Sequence, residues 1–110
     1  MHLDVLIFTA HPDDAEISIG GTIAKFTDND YKVGIVDLTQ GELGTRGSKA
    51  TRKNEAAEAS KILKLSYRNN LKIPDGKVKF RDAYLNSMIT EIRKTKPKII
   101  FAPYFNDRHP

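Results

Sequence analysis

The sequence predicts an α/β fold with a mainly parallel sheet, truncated after a fourth strand. Three observations predict it. Apolar, β-branched runs near residues 3–10, 32–39 and 98–103, with a short candidate strand at 67–71, alternate with three segments of helical spacing. The order strand–helix–strand–helix–strand–helix–strand calls for parallel pairing through right-handed crossovers. The unusual polar residues gather just after the strands, where open α/β sheets bind ligands.

Each element has its own warrant. Leu3 to Ala10 is apolar or β-branched throughout apart from Asp4 and reads as a buried strand. Asp14 to Asp28 reads as a helix: Asp13, Asp14 and Glu16 suit the positive end of its macrodipole, and Ile19, Ile23 and Phe26 recur at helical spacing. Gly20 and Gly21 cost that helix about 1 kcal/mol each relative to Ala. Close packing on the sheet is the favoured reason for them, and room for a ligand beside the first turn is the other. Asp28-Asn29-Asp30 is a turn cluster, followed by a second strand over Lys32 to Thr39. Gly41 to Gly47, GELGTRG, is a glycine-rich loop at the end of that strand. Ala50 to Leu65 reads as a long helix with Ala56, Ala59, Ile62, Leu63 and Leu65 inward. A short third strand over Tyr67 to Leu71 and a Pro74-Asp75-Gly76 turn lead to a third helix, Asp82 to Lys94. Its apolar positions are Ala83, Leu85, Met88, Ile89 and Ile92. Pro97 breaks that helix before the last strand, Lys98 to Pro103. The run KIIFAP is too apolar for an open sheet edge, which predicts further chain or a partner subunit beside it.

Composition narrows the function. At 110 residues the chain is one domain at most, and its 39% hydrophobic content is ordinary. A net charge of +4 is spread over scattered lysines without a run of five like charges, so a nucleic-acid partner is not expected. With no cysteine, a metal site needs His and carboxylate ligands. Neither a leader peptide nor a membrane span is legible, and a cytoplasmic location follows as the default expectation.

The chemistry concentrates at strand ends. His11, Pro12, Asp13 and Asp14 follow the first strand, Glu42 and Arg46 the second, and Asn106, Asp107, Arg108 and His109 the fourth. The first and fourth strands are expected to be neighbours on either side of the switch in strand order. His11 and Asp14, three apart on a turn entering a helix, can reach one cation, leaving Asp13 free to accept a proton from water. Catalytic zinc uses three such ligands and an open position. His109 or Arg108 could stabilise a developing oxyanion. The same turn also fits a plain Asp cap, and both readings stay open. The polar cluster at 106–109 adds weight to the metal site. Arg46, Arg52 and Lys53 lie in or after the glycine-rich loop. A cation at a helix N-terminus opposes the dipole, which favours a carboxylate-binding role for Arg52. Ser18 and Ser48 have no paired base, and His2 reads as a surface residue.

The motifs match a known family. AHPDDAE at 10–16 with GGTIA at 20–24 resembles the opening motif of the LmbE-like (PIG-L) zinc-dependent N-acetylglucosaminide deacetylases. DLTQGELGTRG at 37–47, RKNEAAEA at 52–59 and IPDG at 73–76 extend the resemblance. FAPYFNDRHP at 101–110 is similar to the start of the family's second motif, His-Pro-Asp-His. GELGTRG points within the family to the deacetylases of N-acetylglucosaminyl-malate in bacillithiol biosynthesis. The resemblance implies a Rossmann-like three-layer sandwich and hydrolysis of an acetamide on an amino sugar. It implies that His11 and Asp14 ligate zinc and that Asp13 is the general base. His109 would then assist the oxyanion or act as general acid, Arg52 would contact substrate, and Arg108 is a weaker candidate for that contact. The family's third ligand would fall beyond Pro110, so the chain resembles the N-terminal part of a deacetylase domain. Two readings from other classes remain. One is a non-catalytic Rossmann-like module for a nucleotide or sugar, against which no GxGxxG follows the first strand. The other is an inactive fragment associated through its apolar edge, in line with an expected homo-oligomer.

Overall fold

The computed structural model describes residues 1–10, 14–39, 49–73 and 82–102, with side chains omitted at 14–19, 49–53 and 82–84. In chain order the elements are β1 (Val5–Thr9), α1 (Asp14–Asp28), β2 (Val33–Asp37), α2 (Lys49–Ile62), β3 (Tyr67–Asn70), α3 (Asp82–Thr95) and β4 (Ile99–Phe101). The four strands form one sheet in the order β3-β2-β1-β4, and each pairing is parallel. The predicted α/β class therefore holds.

The alternation of side chains along each strand sorts the core into two layers. Leu6, Phe8 and Val36 join Leu3, Leu38 and Ile73 on one face, where Met88 and Ile92 of α3 pack. Val5, Ile7, Val33 and Ile35 point to the other face, against Ile23 and Phe26 of α1 and Leu63 and Leu65 after α2. Both faces of β1 and β2 are thus covered, which explains why these strands are apolar without alternation. Each such fully buried side chain contributes about 1.5–3 kcal/mol. The chain runs β1 to β2 to β3 in one direction, then jumps back across the sheet to β4. Right-handed crossovers demand that a reversal of direction move the helix to the opposite face, and α3 is there.

The helices stop by one device. Asp30, Lys64 and Lys96 have φ of 64°, 56° and 45°. After α1 and α2 the amides of Tyr31 and Leu65 reach back to the carbonyls of Phe26 and Ser60, closing a six-residue cap around the left-handed residue. After α3 the Lys96 amide bonds the Ile92 carbonyl.

Several expectations change. Helix α2 ends at Ile62 instead of Leu65, because the left-handed turn at Lys64 ends it, and Ile62 is 72% exposed. Leu63 and Leu65 still reach the core, delivered by the turn and not by helical spacing. Leu85 faces outward on α3, at 42% exposure. Among the described residues a methyl group on Gly20 or Gly21 meets nothing within 4 Å, so no close packing on the sheet is seen at these glycines, while Ile23 presents the inward face of α1. Strand β4 lies at an edge of the described sheet, with Ile99, Ile100 and Phe101 exposed on the side where further chain or a partner subunit is expected.

Candidate metal centre

The parallel pairing of β1 with both β2 and β4 aligns the carboxyl ends of these three strands. β4 lies directly against β1, with Val5 opposite Ile99 and Ile7 opposite Phe101. The chain segments that follow β1 and β4 therefore leave the same carboxyl edge of the sheet from adjacent strands, on either side of the switch in strand order. That adjacency matches the arrangement expected from the sequence.

The candidate residues fall unevenly on this frame. Asp14 is the first residue of α1. Arg52 lies near the start of α2, whose first turn holds no acidic residue to offset its cations. His11, Asp13, Arg108 and His109 lie outside the described residues, as do Glu42 and Arg46 of the glycine-rich loop. Among the described residues no group of three His, Asp or Glu gathers to hold a metal. The donor set that fits a metal is the one between β1 and α1: an imidazole and a carboxylate, the ligand types that zinc accepts in a protein without cysteine.

Below that edge the structure shows a polar layer that the sequence reading did not single out. Asp37, the last residue of β2, is 2% exposed, and Arg68 of β3 grips it. Arg68 Nε donates to Asp37 Oδ2 at 2.8 Å and Nη2 donates to Oδ1 at 3.1 Å. The Thr9 hydroxyl donates to Asp37 Oδ1 at 2.5 Å, and Arg68 Nη1 donates to the Ser60 hydroxyl of α2 at 3.2 Å. A fork of two charge-assisted bonds fixes direction as well as distance. Removing one partner would strand a buried charge, at a cost of about 3–5 kcal/mol. Two residues beyond Asp37, Thr39 holds the carbonyl of Ala10 twice: its amide donates at 3.1 Å and its hydroxyl at 2.9 Å. The Leu38 amide holds the Thr9 carbonyl at 2.8 Å, and the Asn70 side-chain amide holds the Thr39 carbonyl at 2.7 Å. The end of β1 is thereby tied to β2, and β2 to β3, immediately before position 11.

Three described groups elsewhere in the fold have shifted protonation. At the opposite end of the sheet, the Lys32 amide donates to Asp4 Oδ2 at 2.7 Å and lowers the Asp4 carboxyl below its usual range, with help from Lys98. On the α3 face, burial raises the Tyr67 phenol, and so does its bond to the buried Glu91 carboxylate. The phenol in turn raises Lys94, whose ammonium sits 5.3 Å from the ring centre.

Comparison with known proteins adds identity to this geometry. Residues 6–110 match the family described as PIG-L, GlcNAc-PI de-N-acetylase. The chain is 31% identical over 106 residues to the diacetylchitobiose deacetylase of Thermococcus kodakarensis, covering 90% of this chain and 40% of that protein. Its fold superposes on a conserved protein of Thermus thermophilus with a TM-score of 0.89 and 42% identity, over 98% of this chain and 49% of that one. It also superposes on the N,N'-diacetylchitobiose deacetylase of Pyrococcus horikoshii in complex with an inhibitor. There the TM-score is 0.85 and the identity 30%, over 96% of this chain and 43% of that one. The chain thus spans less than half the length of these relatives. A parallel sheet in the order β3-β2-β1-β4, polar sequence clusters after its adjacent strands β1 and β4, and a family match over nearly every residue lead to one conclusion: this chain belongs to the PIG-L family of metal-dependent N-deacetylases.

Proposed function

We propose that the protein carrying this chain hydrolyses the acetamide of an N-acetylglucosaminyl conjugate, releasing acetate and a free amine, with zinc as its metal. The observation that supports the proposal is the parallel contact of β1 with β4, the strands that precede residues 11–14 and 106–109 in the chain. His11 and Asp14 are the ligands this chain would contribute, with a third from beyond Pro110. Zinc, once held there, would supply Lewis acidity and lower the pKa of water at the site toward neutrality. Asp13 takes the proton from the attacking water. His109 donates a hydrogen bond to the carbonyl oxygen as it gains charge, then a proton to the departing amine. Arg52, with Arg108 as a weaker second, binds an anionic group on the substrate.

The nature of the conjugate divides into two readings. The GELGTRG segment at 41–47 supports N-acetylglucosaminyl-malate, and a carboxylate on the substrate would give Arg52 a partner. The relatives from Thermococcus and Pyrococcus bear the name of diacetylchitobiose deacetylases, which supports an uncharged disaccharide instead. A side-by-side assay separates them. Malate recognition predicts that Arg52→Ala raises KM for the malate conjugate and leaves turnover of diacetylchitobiose unchanged. The catalytic assignment is tested in the full-length protein. Asp13→Asn should retain zinc and lose about 10²- to 10⁴-fold in kcat. His11→Ala should lose zinc, as read by metal analysis. Full turnover by Asp13→Asn would reject Asp13 as the base.

A further inference from the structure

We propose that Thr39 is a positioning residue for His11, acting through the carbonyl of Ala10. The inference rests on the reading of His11 as a metal ligand. A peptide unit is planar, so its carbonyl oxygen and the nitrogen of the next residue turn together. The Ala10 carbonyl accepts from both the amide and the hydroxyl of Thr39, at 3.1 and 2.9 Å, and two donors fix the plane where one would leave it a hinge. The chain direction into residue 11 is set by that plane. Thr39 is itself held firmly. It is fully buried, and its own carbonyl is anchored by Asn70 of β3. One residue before Ala10, Thr9 is fixed through its side chain by the Asp37–Arg68 pair and through its carbonyl by the Leu38 amide. Successive residues at the end of β1 are therefore clamped by Asp37 and the two residues after it, up to the point where the candidate ligand begins. A strand needs only its main-chain ladder to pair. The added hydroxyl bond on a carbonyl that already has a donor is surplus to pairing, and metal geometry is what it would serve. Groups that orient a metal's ligands commonly contribute about 10- to 100-fold in metal affinity.

The experiment measures zinc affinity by chelator competition, and the visible spectrum of the cobalt-substituted protein, on the full-length chain. Thr39→Val removes the hydroxyl and keeps volume and main-chain bond. It should weaken zinc by about 10- to 100-fold and alter the cobalt spectrum. Thr39→Ser should restore both. Thr95→Val is the control: Thr95 is also fully buried, and its hydroxyl bonds the Glu91 carbonyl at 2.8 Å within α3, away from the site. It should leave zinc and the spectrum as they are at a similar change in melting temperature. Thr39→Ala gives the same reading should valine crowd the site. Unchanged zinc affinity and spectrum in Thr39→Val, alongside metal loss in His11→Ala, would overturn the role of Thr39 and leave the metal site standing. Retention of zinc by His11→Ala would instead overturn the metal-site reading, and this inference with it.

Discussion

Gly34 sets how closely β3 approaches β2. A Cβ at this position would stand 2.6 Å from Leu3 Cδ1 and 3.1 Å from Tyr67 Cβ. Leu3 can yield by a rotamer change, but Tyr67 is anchored by its hydroxyl on Glu91 at 2.7 Å and paired with Gly34 in register. Alanine normally strengthens a strand relative to glycine, and here the crowding outweighs that gain. Gly34→Ala should lower stability by about 1–3 kcal/mol in urea denaturation, and an unchanged or raised midpoint would contradict the packing described. Such residues are hard to read from sequence. Gly34 sits in an apolar run that already reads as a strand, and only the register with Tyr67 gives it a task. Asp37 and Arg68 escaped notice for the same reason: they are 31 positions apart and meet only through the β2–β3 pairing. His11, Asp13 and Asp14 were legible because their chemistry is packed into adjacent positions after a strand. Their contacts, and those of Arg52, Arg108 and His109, lie outside the described residues and side chains.

The elements were more legible than their ends. Seven alternating segments appear in the predicted order, and β1, β2 and β3 fall within the runs that announce them. The end of α2 is not legible in the sequence, because Leu63 and Leu65 prolong the apolar pattern while Lys64, whose left-handed conformation stops the helix, carries no glycine or proline signal. At the other end of the sheet Asp4 ties three strands at their starts. It accepts from the Lys32 amide before β2, pairs with Lys98 before β4 at 3.6 Å, and donates its own amide to the Lys32 carbonyl. Its carboxyl is lowered in the folded protein, so the folded state binds fewer protons than the unfolded chain through that range. The stabilisation is complete above the ordinary carboxylate pKa and is lost as pH falls through the lowered value. Asp4→Asn should therefore reduce the melting temperature near neutral pH, with the gap to wild type closing on acidification. A gap that stays constant with pH would show that the charge of Asp4 contributes nothing.

At the scale of the whole molecule, two helix layers cover the sheet, yet β4 presents Ile99, Ile100 and Phe101 at 48%, 44% and 43% exposure on an edge. The apolar character of that strand exceeds what the described chain buries, and the relatives are about twice as long or more. No helix among the described residues is long and apolar enough to cross a membrane. The proposed function depends on whether residues 11–14, between β1 and α1, hold a metal. Anomalous diffraction at the zinc edge, from crystals of the full-length protein grown with zinc, addresses this most directly. The predicted result is one peak bonded to both His11 and Asp14, with the carboxylate of Asp13 unligated beside it. A peak held by other residues, or none at residues 11–14, would contradict this assignment.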